Sequence, residues 1–140
     1  MHENEIGKIL VDCAIHVHKV LGPGLLESVY EFALARELEK RGLRVERQVD
    51  VPIPYDGEII PVGFRADIIV EKKVIAELKS VEKATPSHKK QILTYLRLSH
   101  RKLGYLLNFG EAYMKDGITR TINGDLSTDG KDSLSQRAQA

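Results

Sequence analysis

The chain has 140 residues, 42% hydrophobic and 29% charged, the ordinary balance of a soluble globular protein with one core. Its formal net charge of +1 neither demands nor excludes a nucleic-acid partner, so any electropositive footprint must come from local clustering. A single cysteine, Cys13, excludes an intrachain disulfide, the opening MHENEIGK lacks the apolar run of a signal peptide, and no segment is long enough to span a bilayer. A cytoplasmic protein with no membrane partner is expected.

Residues 5–21 carry Ile6, Ile9, Leu10, Cys13, Ala14, Val17, Val20 and Leu21 at helical spacing, with Asn4 as the expected N-cap. Cys13 falls on the apolar face and reads as a small core residue. His16 and His18 stand two apart on that helix and point away from each other, which disfavours a shared metal ion. Gly22-Pro23-Gly24 ends the helix and turns the chain. A second helix is expected over 25–41, with Leu26, Val29, Tyr30, Ala33, Leu34 and Leu38 as its buried stripe and Gly42 as its stop. Glu27, Tyr30 and Glu31 share one side of it. By position alone Glu27 is an acid favoured by the dipole of the helix N-terminus.

Residues 43–53 alternate in part, through Val45, Val49, Val51 and Ile53, and read as a strand. A turn at 54–57 contains Asp56-Gly57, a strong hairpin signal. Residues 58–62 lead into a central strand, where Pro61 and Gly63 predict a bulge, a bend or an edge position.

The stretch 64–80, FRADIIVEKKVIAELKS, holds two β-branched apolar runs around Glu71-Lys72-Lys73 and reads as an antiparallel hairpin. With that triplet as the loop, Val70 pairs with Val74 and Asp67 falls opposite Glu77. Alternation then puts Asp67, Ile69, Ile75, Glu77 and Lys79 on one face and Ile68, Val70, Val74, Ala76 and Leu78 on the other. Both faces are apolar, so the sheet should be covered on both sides. Two acids and a lysine on a covered face are costly unless something pairs with them, and a divalent metal would do so.

A loop follows, then a third helix over 87–99, with Ile92, Leu93, Tyr95, Leu96 and Leu98 apolar and with Gln91 and Tyr95 one turn apart. A short buried strand is expected over 103–109 and an edge strand over 118–122. The expected domain is 1–123, followed by a polar, disordered tail over 124–140. Lys83, His88, Lys89 and Lys90, with Arg97, Arg101 and Lys102 further on, are either solvated surface or a phosphate-binding cluster. The order of elements predicts a single α/β domain, a mixed sheet flanked by helices.

Asp67 and, ten positions on, Glu77-Leu78-Lys79 resemble the PD-(D/E)xK nuclease core, an acid on one strand and an acid-x-lysine on the next. Gly24-Leu25-Leu26-Glu27-Ser28-Val29-Tyr30 matches the signature of the GxxExxY family within that superfamily, and Gln91-x-x-x-Tyr95 adds to the likeness. The resemblance spans 6–123, with Ala66 standing where the superfamily has proline. It implies a restriction-endonuclease-like αβββαβ core with an extra N-terminal helix, and a nuclease dependent on Mg²⁺ or Mn²⁺, hard cations suited to oxygen ligands. It implies Asp67, Glu77 and the Leu78 carbonyl as metal ligands, Glu27 completing the metal site directly or through water, Lys79 acting on water or phosphate, and Gln91 close to the site. Tyr30 and Tyr95 would support it, Tyr30 by orienting a neighbouring acid. Nucleic acid, DNA first, would be held by Lys83, His88, Lys89, Lys90 and Arg97. A homodimer, or a partner protein supplying targeting, stays open, as does a non-catalytic module that keeps the fold and binds nucleic acid or a protein.

Overall fold

The computed structural model describes residues 1–126; most of the expected tail, 127–140, lies outside the described residues. Helix α1 spans Glu3–Leu21 and α2 spans Glu27–Lys40. Strands β1 (Val45–Tyr55), β2 (Glu58–Val70) and β3 (Val74–Lys79) form a meander, followed by α3 (Pro86–Ser99), β4 (Leu103–Asn108), a short 3-10 helix (Met114–Gly117) and β5 (Ile118–Ile122). Among the described residues the sheet runs in chain order, β1-β2-β3-β4-β5. Among the described strands only the β3–β4 pair is parallel, as the intervening helix requires, so the sheet is mixed as expected. No helix of the described residues is long and apolar enough to cross a membrane.

Each face of the sheet has its own core. Ile68, Val70, Val74, Ala76, Leu78, Leu103, Tyr105 and Leu107 meet the apolar stripes of α1 and α2. Ile69, Ile75 and Leu106 meet Ile92 and Leu96 of α3, together with Val51, Ile53, Phe64 and Ala66. Each fully buried aliphatic side chain contributes roughly 1.5–3 kcal/mol, so the two-sided cover anchors β3 and β4, the strands with no solvent face. Cys13 is buried in the first core, as its spacing predicted.

Several local expectations need correction. The N-cap of α1 is His2, whose Nδ1 accepts from Asn4 N at 3.0 Å; Asn4 lies inside the helix and its side chain accepts from Arg120 instead. Leu26 is 73% exposed and Val29 is exposed, because α2 begins only at Glu27 and its buried side is Tyr30, Glu31, Leu34, Ala35 and Leu38. Leu126 is buried in the core of α1 and α2, inside the stretch expected to be tail. The Asp56-Gly57 turn forms as predicted, with φ of 51° and 77°. The irregularity expected near Pro61 and Gly63 is a register shift, with Val51 opposite Phe64 but Ile53 opposite Ile60. Beyond it Tyr55, Ile59, Ile60 and Val62 are exposed on an arm that β3 does not reach.

Candidate functional site

The hairpin register is the predicted one. Val70 pairs with Val74, Ile69 with Ile75 and Ile68 with Ala76, around the loop Glu71-Lys72-Lys73. Extending it brings Asp67 beside Glu77. Asp67 N donates to Glu77 Oε1 at 3.3 Å, and Leu78 N donates to Asp67 Oδ2 at 2.9 Å. The Glu77 carboxyl thus accepts from the Asp67 amide, and the Asp67 carboxylate from the amide that follows Glu77, at the end of β3.

Their faces are subtler than simple alternation. Ile68 packs under α1 and α2, yet Ala66, two residues earlier, packs under α3. The β2 alternation therefore inverts at Asp67. On β1 the same inversion falls at Gln48. Arg47 is directed to α2 through Glu31, whereas Val49 packs on the α3 side. Arg47 pairs with Ile68 and Val49 with Ala66, so Gln48 stands opposite Asp67. Gln48 has φ of 50°, left-handed backbone that costs a non-glycine residue on the order of 1 kcal/mol. Its Nε2 donates to Glu31 Oε1 at 2.5 Å and to Asp67 Oδ1 at 3.3 Å. Glu31, buried on α2, is held from its other oxygen by Arg47 at 2.9 Å. Sequence reasoning missed this relay; its trace was Arg47, which interrupts the odd-numbered apolar series Val45, Val49, Val51.

A cleft of about 110 Å³ opens beside Asp67, lined by Glu27, Ser28, Glu31, Gln48, Asp67 and Leu78. Glu27, the first residue of α2, faces Asp67 across it but is exposed, and Glu77 is not among the residues lining the cleft. Among the described residues no three His, Cys, Asp or Glu side chains are gathered as a metal-holding group, so the acids come as a pair with Glu27 across the cleft.

Glu77 is 7% exposed, and burial, reinforced by the neighbouring Asp67 carboxylate, pushes its carboxyl up from 4.5 to about 9. Lys79 offsets this only slightly, and the ion pairs of the described residues do not include it. Glu77 is therefore a protonated acid at neutral pH, a position a bound cation would take over from the proton. Tyr95 stacks on Phe64 with centroids 3.9 Å apart, and burial, then the charges of Glu77 and Asp67, raise its phenol. That places Tyr95 within electrostatic reach of the pair. Gln91, one turn earlier, is exposed, and its side chain makes no hydrogen bond among the described residues.

Tyr30 acts differently from the expectation that it orients an acid. Its hydroxyl donates to Gly22 O at 2.5 Å and accepts from Leu25 N at 3.1 Å, while its ring stacks on Phe109 at 4.5 Å. Ser80, next after Lys79, donates to Leu25 O at 2.6 Å. The loop before α2 is thus clamped from below by Tyr30 and from β3 by Ser80, and the clamp fixes where α2 starts and Glu27 stands.

The cations divide by place. Lys83, Lys89 and Lys90 lie near the start of α3, at the sheet end holding Glu77 and Lys79. The His88 ring accepts from Thr85 N in the capping box of α3, so one of its nitrogens is committed to structure. Arg97 sits in the last turn of α3, about 12 Å along the axis from Lys89 at 1.5 Å per residue. Arg101 donates to Lys72 O in the β2–β3 turn, also at the far end. The expected single cluster is therefore split between the two ends of the helix. His18 is buried and its Nε2 lies 2.8 Å from Glu111 O, and His16 meets Glu37 at 3.9 Å, so the two histidines have separate partners.

A family model described as the PD-(D/E)XK nuclease superfamily matches residues 4–121, most of the chain. The solved structure of SSO0001 superposes with a TM-score of 0.50 at 20% identity, over 81% of this chain and 56% of that one. The chain thus spans little more than half the length of that protein, and the likeness concerns the fold. No curated protein matches.

Proposed function

The chain belongs to the PD-(D/E)XK nuclease superfamily, and from that premise we propose that it is a divalent-metal-dependent nuclease cutting phosphodiester bonds, with DNA as the first expected substrate. The observation that carries this reading is the tied pair Asp67 and Glu77, with Lys79 two residues on at the same strand end. The signature Gly24, Glu27 and Tyr30 supports placing the chain in the GxxExxY branch, since Tyr30 clamps the loop that sets Glu27 across the cleft from Asp67.

The donor set fits Mg²⁺ or Mn²⁺: oxygen ligands only, and a carboxyl that holds a proton where a cation would relieve its burial beside Asp67. Asp67, Glu77 and the Leu78 carbonyl would hold the ion, with Glu27 reaching it directly or through water. When bound, such an ion lowers the pKa of a water and neutralises charge on the phosphodiester. Lys79 orients or deprotonates that water, or stabilises the charge of the transition state. Gln48 holds Asp67 from the β1 side, and the Tyr95 hydroxyl closes the α3 side. Lys83, Lys89 and Lys90 take phosphates beside the site, His88 contributes through its free ring nitrogen, Gln91 approaches the strand from α3, and Arg97 contacts it further out.

Cleavage of single-stranded, duplex and branched substrates with Mg²⁺ or Mn²⁺, with Glu77→Ala as control, tests the proposal. Metal-dependent cutting absent from the variant supports it. A wild type that binds strands across that panel and cuts none returns the binding-module reading.

A further inference from the structure

Strand β2 outruns its neighbour. Counting on from Val70 opposite Val74 sets Arg65 opposite Lys79, the last residue of β3. Residues 58–64 therefore pass the end of the sheet that carries Lys79, by roughly 20 Å at about 3.3 Å per residue. Along that arm β2 pairs with β1, Ile53 with Ile60, Pro54 with Ile59 and Tyr55 with Glu58. The base of the arm is fixed: Ile53 occupies the place that a Cβ on Gly63 would take, and Phe64 stacks on Tyr95.

A two-stranded ribbon on its own is marginal in water, and this one is apolar on both faces. Tyr55, 74% exposed, shares one face with Ile60, and Ile59 is exposed on the other. The charges within 52–63 are Asp56 and Glu58, with no lysine or arginine, so a phosphate backbone repels the arm. Pro52 and Pro54 take two N–H donors out of β1, an outer strand of the sheet, which disfavours the addition of another strand there. The arm is thus built to dock through its side chains, on an apolar surface with cations at the rim.

This chain carries such a surface. A recess of about 460 Å³ lies between α1 and the segment that follows β4, lined by Ile15, Ala112, Tyr113 and Met114 together with Lys19 and Lys115. No acid lines it. Its volume suits an aromatic side chain with an aliphatic neighbour. The arm extends β1 and β2 at one side of the sheet, whereas the recess segment joins β4 to β5 at the other, so a straight ribbon does not reach the recess of its own chain. Because β4 runs parallel to β3, with Asn108 opposite Lys79, that segment stands at the same sheet end as the arm.

We propose that the arm of one copy docks in the recess of a second copy of this chain, and that the two copies exchange arms reciprocally. Tyr55 and Ile60 fill the recess, while Asp56 and Glu58 meet Lys19 and Lys115. A closed two-fold exchange satisfies both arms, whereas one-way docking would run on into a filament. The exchange brings the two Lys79 ends of the sheets toward each other, within about the length of an arm.

Sedimentation of the full chain at micromolar concentration should find a dimer. Asp56→Asn/Glu58→Lys reverses the arm tip, with Asn keeping the left-handed turn at position 56, and Lys19→Glu/Lys115→Glu reverses the rim. All four side chains are exposed. Each double variant alone should dimerise at least about tenfold more weakly, because like charges then meet. An equal mixture of the two should recover wild-type affinity to within about threefold, since both junctions again join opposite charges. Tyr55→Ala, which leaves every charge in place, should weaken the dimer about tenfold as well. A monomeric wild type, a dimer that ignores either double variant, a mixture that stays monomeric, or larger assemblies in place of a dimer overturn the exchange. No cleavage is read, so the proposal stands or falls apart from the nuclease reading.

Discussion

Replacing Glu77 with Gln should make the metal-free protein more stable, although Glu77 is proposed as a metal ligand. In the folded chain burial and Asp67 raise the Glu77 carboxyl from its ordinary 4.5 to about 9. A raised carboxyl means that the folded state binds a proton the unfolded chain releases. Its contribution is therefore fully present below pH 4.5 and is lost as pH climbs toward 9. Each pH unit in that window withdraws about 1.4 kcal/mol, so at pH 7 the deficit is about 3 kcal/mol. That is a large part of the roughly 5–15 kcal/mol that holds a domain together. Gln has nearly the same shape, does not titrate, accepts from Asp67 N through Oε1 and donates to the Asp67 carboxylate through Nε2. Melting curves in EDTA from pH 4 to pH 9 should show the variant gaining on the wild type as pH rises, by roughly 10 °C at pH 7, and the two converging below pH 4.5. Mn²⁺ should then raise the wild-type melting temperature and leave the variant almost unmoved, because the ion binds the folded state through the carboxylate the variant lacks. Parallel pH profiles for the two proteins would refute the claim that Glu77 is a buried, proton-holding acid.

Lys79→Ala should abolish cleavage while calorimetry finds metal affinity nearly intact, since an ammonium cannot ligate a cation; Lys79→Arg should not rescue, because guanidinium stays protonated and differs in shape. Asp67→Asn should remove most of the Mn²⁺-induced rise in melting temperature; an undiminished rise counts against Asp67 as a ligand. Tyr30→Phe should cost about 1–2 kcal/mol in denaturant unfolding, by freeing Gly22 O and Leu25 N, and should lower cleavage by letting Glu27 drift. Gln48→Gly should melt above Gln48→Ala by about 1 kcal/mol, because glycine accepts the left-handed backbone, while both lose activity with the bonds to Asp67 and Glu31. Equal stability of those two variants would argue against backbone strain at Gln48.

Much of this protein is written in its sequence because the relevant physics is local and periodic. Apolar spacing gives α1, α2 and α3, Asp56-Gly57 gives the hairpin, and the triplet Glu71-Lys72-Lys73 fixes the register that sets Asp67 beside Glu77. The loop fixes the register, so the meeting of Asp67 with Glu77 is legible in the amino-acid order alone, whereas the face Asp67 takes is not, because the alternation breaks there. What lay beyond reach depends on where distant segments close on one another. Leu26 has the composition of a core residue, yet the loop held by Tyr30 and Ser80 delays the helix and leaves it exposed. The strands invert their faces at Asp67 and Gln48 because Glu31 on α2 draws Gln48 and Arg47 toward it, a long-range hydrogen bond that no alternation pattern carries. Asn108 is a single polar letter in LGYLLNF. Only the parallel pairing of β4 with β3 sets it beside Lys79, and only the closing loop buries its amide, with Oδ1 accepting from Val81 N and Gly110 N.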